Sequence, residues 1–268
     1  MSAVLDTPVT APVSYLLHLA DNAVVLGQRN AEWCGHGPIL EEDLALANMS
    51  LDLIGQARLL YSAAAKQMGG DATEDSLAYF RDVPEFRNYT LLELPHHSAL
   101  VGYAKTDLDY ATTIARNFLY SALMVPLWTQ LQDSADAELA SIAAKSLKES
   151  RYHLRHSRDW LVKLGDGTDE SSARVAAALA HLMPYTQEFW TLSALENDAA
   201  EAGITLNWAQ LQADWNALLD DALAEAQLTR PGSAGYVTQG KNGGHSEHLG
   251  FLLSEMQGLA RAHPGAQW

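Results

Sequence analysis

The stretch Lys145 to Leu161, KSLKESRYHLRHSRDWL, reads as the middle of a long helix and sets Glu149, His153, His156 and Trp160 at steps of four, three and four. Those steps return to one helix face. A carboxylate followed one turn later by an imidazole on an inward face is how four-helix bundles build carboxylate-bridged di-metal centres. Fold and chemistry therefore turn on whether the rest of the chain supplies facing helices and the remaining ligands.

The facing helices are legible. Ser14 can cap a first helix running to about Gln28, and Gly35, Gly37 and Pro38 then punctuate the chain. A second, Glu41 to Met68, has acids at its start and Gly69-Gly70 at its end. Its middle, Leu44 to Ala57, carries one charged residue, Asp52, which predicts a helix enclosed on most sides. Residues 71–95 read as irregular, with a short helix near Glu74 to Phe80 and an aromatic-rich FRNYTLLELP that packs rather than dangles. A third long helix, Asp107 to Gln132, should kink at Pro126, and Asp136 or Ser134 starts a fourth, Ala137 to Leu164. Ser171 opens a fifth to about Ala202 with a kink at Pro184, Asn207 caps a sixth to Leu228, and a last helix spans Ser246 to Ala262. Alternating apolar runs are absent, so the class is all-α. We expect one helical domain over residues 14–268, with residues 1–13, which contain Pro8 and Pro12, as a flexible lead.

Charge narrows the partners. The 17 basic and 33 acidic residues give a formal charge of -16, which repels nucleic acid and anionic membrane surfaces. No apolar run approaches the roughly 18 residues that span a bilayer. The lead has no basic region typical of a signal peptide, and the single Cys34 cannot form an internal disulfide. Cytoplasm is the expected compartment.

The ligand count argues against the metal. A di-metal bundle takes a Glu from each of two helices and a Glu-x-x-His pair from each of two others. Here the first helix offers only Asp21 near its beginning, and the second offers Asp52 followed by Gly55 where an imidazole should stand. Tyr110 to Gln132 contains no carboxylate, its one ionised residue being Arg116. In the fourth helix Tyr152 occupies the position three residues after Glu149, and His153 comes one later. A buried carboxylate without metal needs a cation, and Arg116, Arg151 or Arg155 could supply it, with Arg116 favoured. The expectation is a vestigial site or buried charge network around Asp52, Arg116, Glu149, Tyr152 and His153.

Other candidates carry less. His36 and Cys34 in EWCGHGP read as a turn histidine and a packed thiol, and His96-His97 as a surface pair. In GKNGGHSEHLG, Lys241 with its glycines could contact a phosphate at a helix start, without the Walker spacing. His245 and His248 there suggest a helix N-terminus packing against another subunit.

Three blocks, GQRNAEWCGHGPILEEDLALANMSLDLIGQARLL, KESRYHLRHSRDWLVKLGDGTD and GKNGGHSEHLGFLLSEMQ, together with the terminal GAQW, resemble the structural C subunits of the bacterial phenylacetyl-CoA epoxidase. The resemblance covers about Tyr15 to Trp268. It implies a ferritin-like four-helix bundle with additional C-terminal helices and lost metal ligands. It also implies a heteromer with a ferritin-like catalytic paralogue, which holds the di-iron centre and epoxidises phenylacetyl-CoA with dioxygen and electrons from NADPH. The chain itself would carry no cofactor and no catalytic residue, and homodimer contacts are a further expectation. Two other classes compete: an independent metal-dependent oxidase recruiting ligands to Glu149 and His153, and a CoA-thioester binding module built on Lys241.

Overall fold

The computed structural model describes residues 9–97 and 108–266, and among them there is no strand beyond one isolated bridge between Gln239 and Gly244. The protein is all-α, a ferritin-like helical bundle with further helices packed on it. Two antiparallel helix pairs form its centre. Helix α1 (Val13–Ala31) packs along α2 (Leu40–Met68). After the short α3 (Glu74–Tyr79) and a single turn, α4 (Thr90–Glu93), the second pair is α5 (Tyr110–Leu131) with α6 (Ala137–Gly165). Helix α7 (Asp169–Leu182) leans on α5 and α6, the turn α8 (Gln187–Trp190) and α9 (Ala194–Glu201) come next, and α10 (Trp208–Glu225) covers α5. Finally α11 (Glu247–Ala262) returns to α1, α3 and α4.

Local chemistry sets the boundaries. Helix α2 stops at Gly69, whose φ of 66° suits a residue without a Cβ. Helix α6 starts where Asp136 accepts the amides of Glu138 and Leu139 at 2.9 and 3.1 Å. Helix α5 runs through Pro126 without a break. The expected fifth helix is instead divided. Pro184 opens a 3-10 turn, Met183–Thr186, and Ser193 starts a new helix by a capping box with Glu196, so one long element becomes α7, α8 and α9. Thr168 rather than Ser171 caps α7, with Ser171 completing the box.

The folded part reaches further toward the N-terminus than Ser14. Ala11 is fully buried, its amide donates to Asp136 Oδ2 at 2.8 Å and its carbonyl accepts from Gln67 Nε2 at 3.0 Å, so it is tied to both bundle halves. Residues 1–8 of the expected lead, and residue 107 of the expected third helix, lie outside the described residues.

The main core is a cluster of buried Leu, Ala and aromatic side chains running through the long helices, with Trp128 and Trp215 its largest members, and a small second cluster joins Trp33, Leu46 and Met49. Trp215 is fixed by donating its indole N–H to Leu119 O at 3.0 Å. The irregular segment after α3 belongs to this core: Phe86, Asn88, Tyr89 and Leu91 are all buried. Helix α2 departs from expectation, because Leu40, Leu44 and Leu51 are 71, 55 and 67 % exposed. One face of it is unpartnered among the described residues.

Candidate functional site

Glu149, His153, His156 and Trp160 do share one face of α6, and that face looks across at α2. His153 Nε2 lies 3.1 Å from Asp52 Oδ2, and His156 Nε2 lies 2.8 Å from Glu42 Oε2. Tyr110 at the start of α5 also donates its hydroxyl to Glu42, at 2.6 Å, and stacks edge-on against Trp160. Burial pushes the Glu42 carboxyl up, but the hydrogen bonds from Tyr110 and His156 outweigh it and hold the group below the usual carboxylate range. The seam between α2 and α6 is therefore bridged by polar pairs, with His153 buried and facing the seam.

Glu149 accepts from Gln56 Nε2 at 2.9 Å, not from an arginine. The expected pairing with Arg116 does not form, because Arg116 leaves α5 in another direction. It is completely buried against the segment after α4, donating to Leu94 O and to His96 Nδ1, the latter at 2.7 Å. Tyr152 sits at the edge of this seam: it is 38 % exposed, its ring centre lies 6.2 and 6.1 Å from those of His153 and His156, and the Arg155 guanidinium is 5.7 Å from it.

At the bundle centre, α1 and α5 meet through Asn30 and Asn117. Each amide donates to the other's carbonyl oxygen at 2.9 Å, and both are buried. Next to them, Arg29, Glu32, Trp33, His96 and Arg116 form a network. Trp33 Nε1 donates to Thr113 Oγ1 at 2.9 Å, and His96 Nε2 sits 2.7 Å from Arg29 O and 3.3 Å from Glu32 Oε2. Burial and the neighbouring Arg116 charge lower the His96 pKa to about 4. A neutral ring with its proton on Nε2 satisfies these contacts, since Nδ1 then accepts from Arg116. Burial raises the Glu32 carboxyl, but the His96 hydrogen bond and the Arg29 charge bring it down to about 2. Burial and the Arg29 charge lower Arg116 to about 9.

Asp21, the single acid of α1, is fully buried and paired with Arg81; it also accepts from Tyr61 OH at 2.5 Å and from the Arg87 amide at 2.8 Å. The C-terminal histidines and lysine are equally internal. Lys241 is buried, paired with Glu196, and donates to Thr191 O at 2.8 Å, while its amide donates to Glu188 at 2.8 Å. His245 lies 2.8 Å from Glu93 Oε2, and Ser246 N donates to Glu93 Oε1 at 2.6 Å. Burial disfavours the charged His245 ring, yet the Glu93 hydrogen bond and charge raise its pKa above the ordinary value. His248 is buried, and its carbonyl accepts from Arg29 Nη2 at 3.2 Å. The loop 239–246 thus threads into its own chain, and Gly240 approaches the Asn88 and Thr90 backbone too closely for a Cβ. Lys241, His245 and His248 are all packed within their own chain, Lys241 against Glu196 and His245 against Glu93.

Three minor expectations also change. His96 and His97 are buried rather than a surface pair, and Cys34 is exposed rather than packed. His36 is exposed in its turn, with Nδ1 3.1 Å from Cys34 O. The contacts that sequence reasoning missed are the Asn30–Asn117 pair and the Asp21–Arg81 and Glu93–His245 pairs. The only local signal was Asp21, Asn30 and Asn117 inside otherwise apolar helix faces; Arg81 and His245 lie outside helices and carry none.

These donors do not fit a di-iron centre. Such a centre takes four carboxylates and two imidazoles converging from four helices. Here α1 and α5 meet through neutral amides that satisfy each other, and Glu149 and His153 each engage one side chain of α2. Among the described residues, no group of three His, Cys, Asp or Glu could hold a metal ion.

Known proteins carry the same sequence pattern. Residues 3–268 match the family model described as Phenylacetic acid catabolic protein. The chain is 45% identical over 255 residues to the C subunit of the 1,2-phenylacetyl-CoA epoxidase of Escherichia coli (strain K12), covering 95% of this chain and 98% of that one. With a helical bundle matched along nearly its whole length, the chain belongs to the phenylacetic acid catabolic protein family.

Proposed function

We propose that this chain is the non-catalytic structural subunit of a phenylacetyl-CoA epoxidase complex in aerobic phenylacetate catabolism, forming a heteromer with the di-iron catalytic paralogue and stabilising it. The similarity to the C subunit of such an epoxidase supports the pathway and the multi-subunit setting. The observation that carries the structural role is the Asn30–Asn117 amide pair, which joins α1 and α5 through neutral side chains, whereas a di-metal bundle brings a carboxylate inward from each such helix. Helices bearing buried carboxylates and metal are a poor source of stability, and a neighbouring bundle without that burden can hold them in place. A cytoplasmic location agrees with this, and no described helix is long and apolar enough to cross a membrane.

The independent oxidase reading is the weaker one, since among the described residues Glu149 and His153 recruit no third donor. The CoA-thioester reading loses its cation, because Lys241 is buried against Glu196. Co-expression with the catalytic paralogue tests the proposal. A stable heteromer and improved solubility of the catalytic chain are expected. Failure to co-purify, with the paralogue equally soluble alone, overturns it.

A further inference from the structure

Two features of the outer surface have no partner among the described residues. On α2, Leu40, Leu44, Ala47, Leu51 and Ile54 succeed one another at steps of four, three, four and three, the spacing of a seam between packed helices. All five are exposed or half-exposed. The seam spans about 22 Å of helix and ends where Arg58 pairs with Glu74 at 3.0 Å. Apolar side chains continuous over this length on a soluble chain mark an interaction surface.

On the adjacent helix α6, Lys145, Lys148, Arg151 and Arg155 are all exposed. Among the described residues none of the four has an acidic partner, Arg155 resting instead over Tyr152. One turn further on, Arg158 is engaged by Asp221 and Glu225 at 2.6 and 2.7 Å. In a chain of formal charge -16, four unneutralised cations along one helix face are an exception to the surrounding surface. The two helices are neighbours, joined by the Gln56–Glu149 and Asp52–His153 contacts, so the seam and the cationic row lie on the outward sides of adjacent helices.

We propose that this α2–α6 face docks a helical surface of a different chain that presents an apolar stripe toward α2 and acidic side chains toward α6. Resting on the structural-subunit reading above, that chain is the catalytic paralogue. A second copy is the poorer occupant. A two-fold dimer sets a patch against itself, and here that places cations on cations or on leucines. Two copies also bring together two chains of formal charge -16. A partner with acidic flanks neutralises the row and covers the leucines together.

Titration of the full-length chain against purified catalytic paralogue at low and high salt tests this. Leu51→Glu, and the charge reversal K148E/R151E, are each expected to weaken binding by roughly tenfold or more, which corresponds to about 1.4 kcal/mol. The charge reversal should also flatten the salt dependence. Thermal melts of both variants should match wild type, because the altered side chains are exposed. Leu259→Glu on α11, 58 % exposed and away from this face, should bind as wild type does. If wild type binds and both variants bind equally well, the docking surface is wrong while the heteromer stands. If wild type does not bind, the structural-subunit reading fails and takes this occupant with it. A homodimer of the isolated chain that Leu51→Glu dissolves assigns the face to a second copy and overturns the proposal.

Discussion

Asn30 and Asn117 exchange two side-chain hydrogen bonds of 2.9 Å between α1 and α5, in the buried centre of the bundle. The pair joins the two halves with groups that are neutral at every physiological pH. Removing one member leaves the other's donor and acceptor buried without a partner, a loss of about 1–3 kcal/mol. Asn117→Ala should therefore lower the urea midpoint by that equivalent, whereas N30L/N117L, with both partners apolar, should recover part of it. Equal stability of Asn117→Ala and wild type would show that the pair carries no weight.

Asp21 is the deepest single charge in α1 and holds Arg81, Tyr61 and the Arg87 amide at once. Asp21→Asn leaves the Arg81 guanidinium without its counter-ion in a buried setting. A loss of about 3–5 kcal/mol is expected, measured by denaturant unfolding. Because Arg81 and Arg87 lie on either side of the turn Val83–Glu85, protease sensitivity should rise in that turn first.

Acid should destabilise the protein from the His96 network. Its folded pKa, about 4, is below the ordinary 6.5, so between those values the unfolded chain binds the extra proton and stability falls as pH falls. The full effect is on the order of 3 kcal/mol. Glu32, held at about 2, adds a further loss below about 4.5 as it is protonated on unfolding. His96→Asn should flatten the dependence between pH 6.5 and 4 in urea unfolding at stepped pH, and an unchanged slope would remove His96 from the account. His245 acts with the opposite sign: its raised pKa gives stability that is lost as pH rises through the folded value.

Lys241 and Glu196 are a buried pair with side chains 2 and 1 % exposed. Lys241→Met should lower stability by about 3–5 kcal/mol by leaving Glu196 uncompensated, and K241M/E196Q should restore most of it. Thermal melts of both variants decide this. A Lys241→Met protein as stable as wild type would mean that the lysine is free for a ligand.

The long helices were legible because their apolar periodicity and their caps agree, as at Asp136 and Gly69. What escaped was contact between residues far apart in sequence. Glu93 and His245 lie 152 residues apart, and no local pattern joins them. Arg116 is the one ionised residue of its helix and so predicts a carboxylate partner, but it is held by backbone and a histidine of the irregular segment Leu94 to His96, which no local pattern marks. The sequence predicts the α2 leucines to be enclosed because an apolar helix looks alike whether it is covered by its own chain or awaits another one. The α6 face was recognised correctly as a shared face, yet it meets α2 through paired side chains rather than through converging metal ligands.

Among the described residues the bundle lacks the donors of a di-metal centre, and metal content tests this most directly. The isolated full-length chain, expressed with iron and manganese supplied and then purified, should carry substoichiometric amounts of both. Stoichiometric iron or manganese that survives buffer exchange, and is lost in Glu149→Gln, would contradict the account.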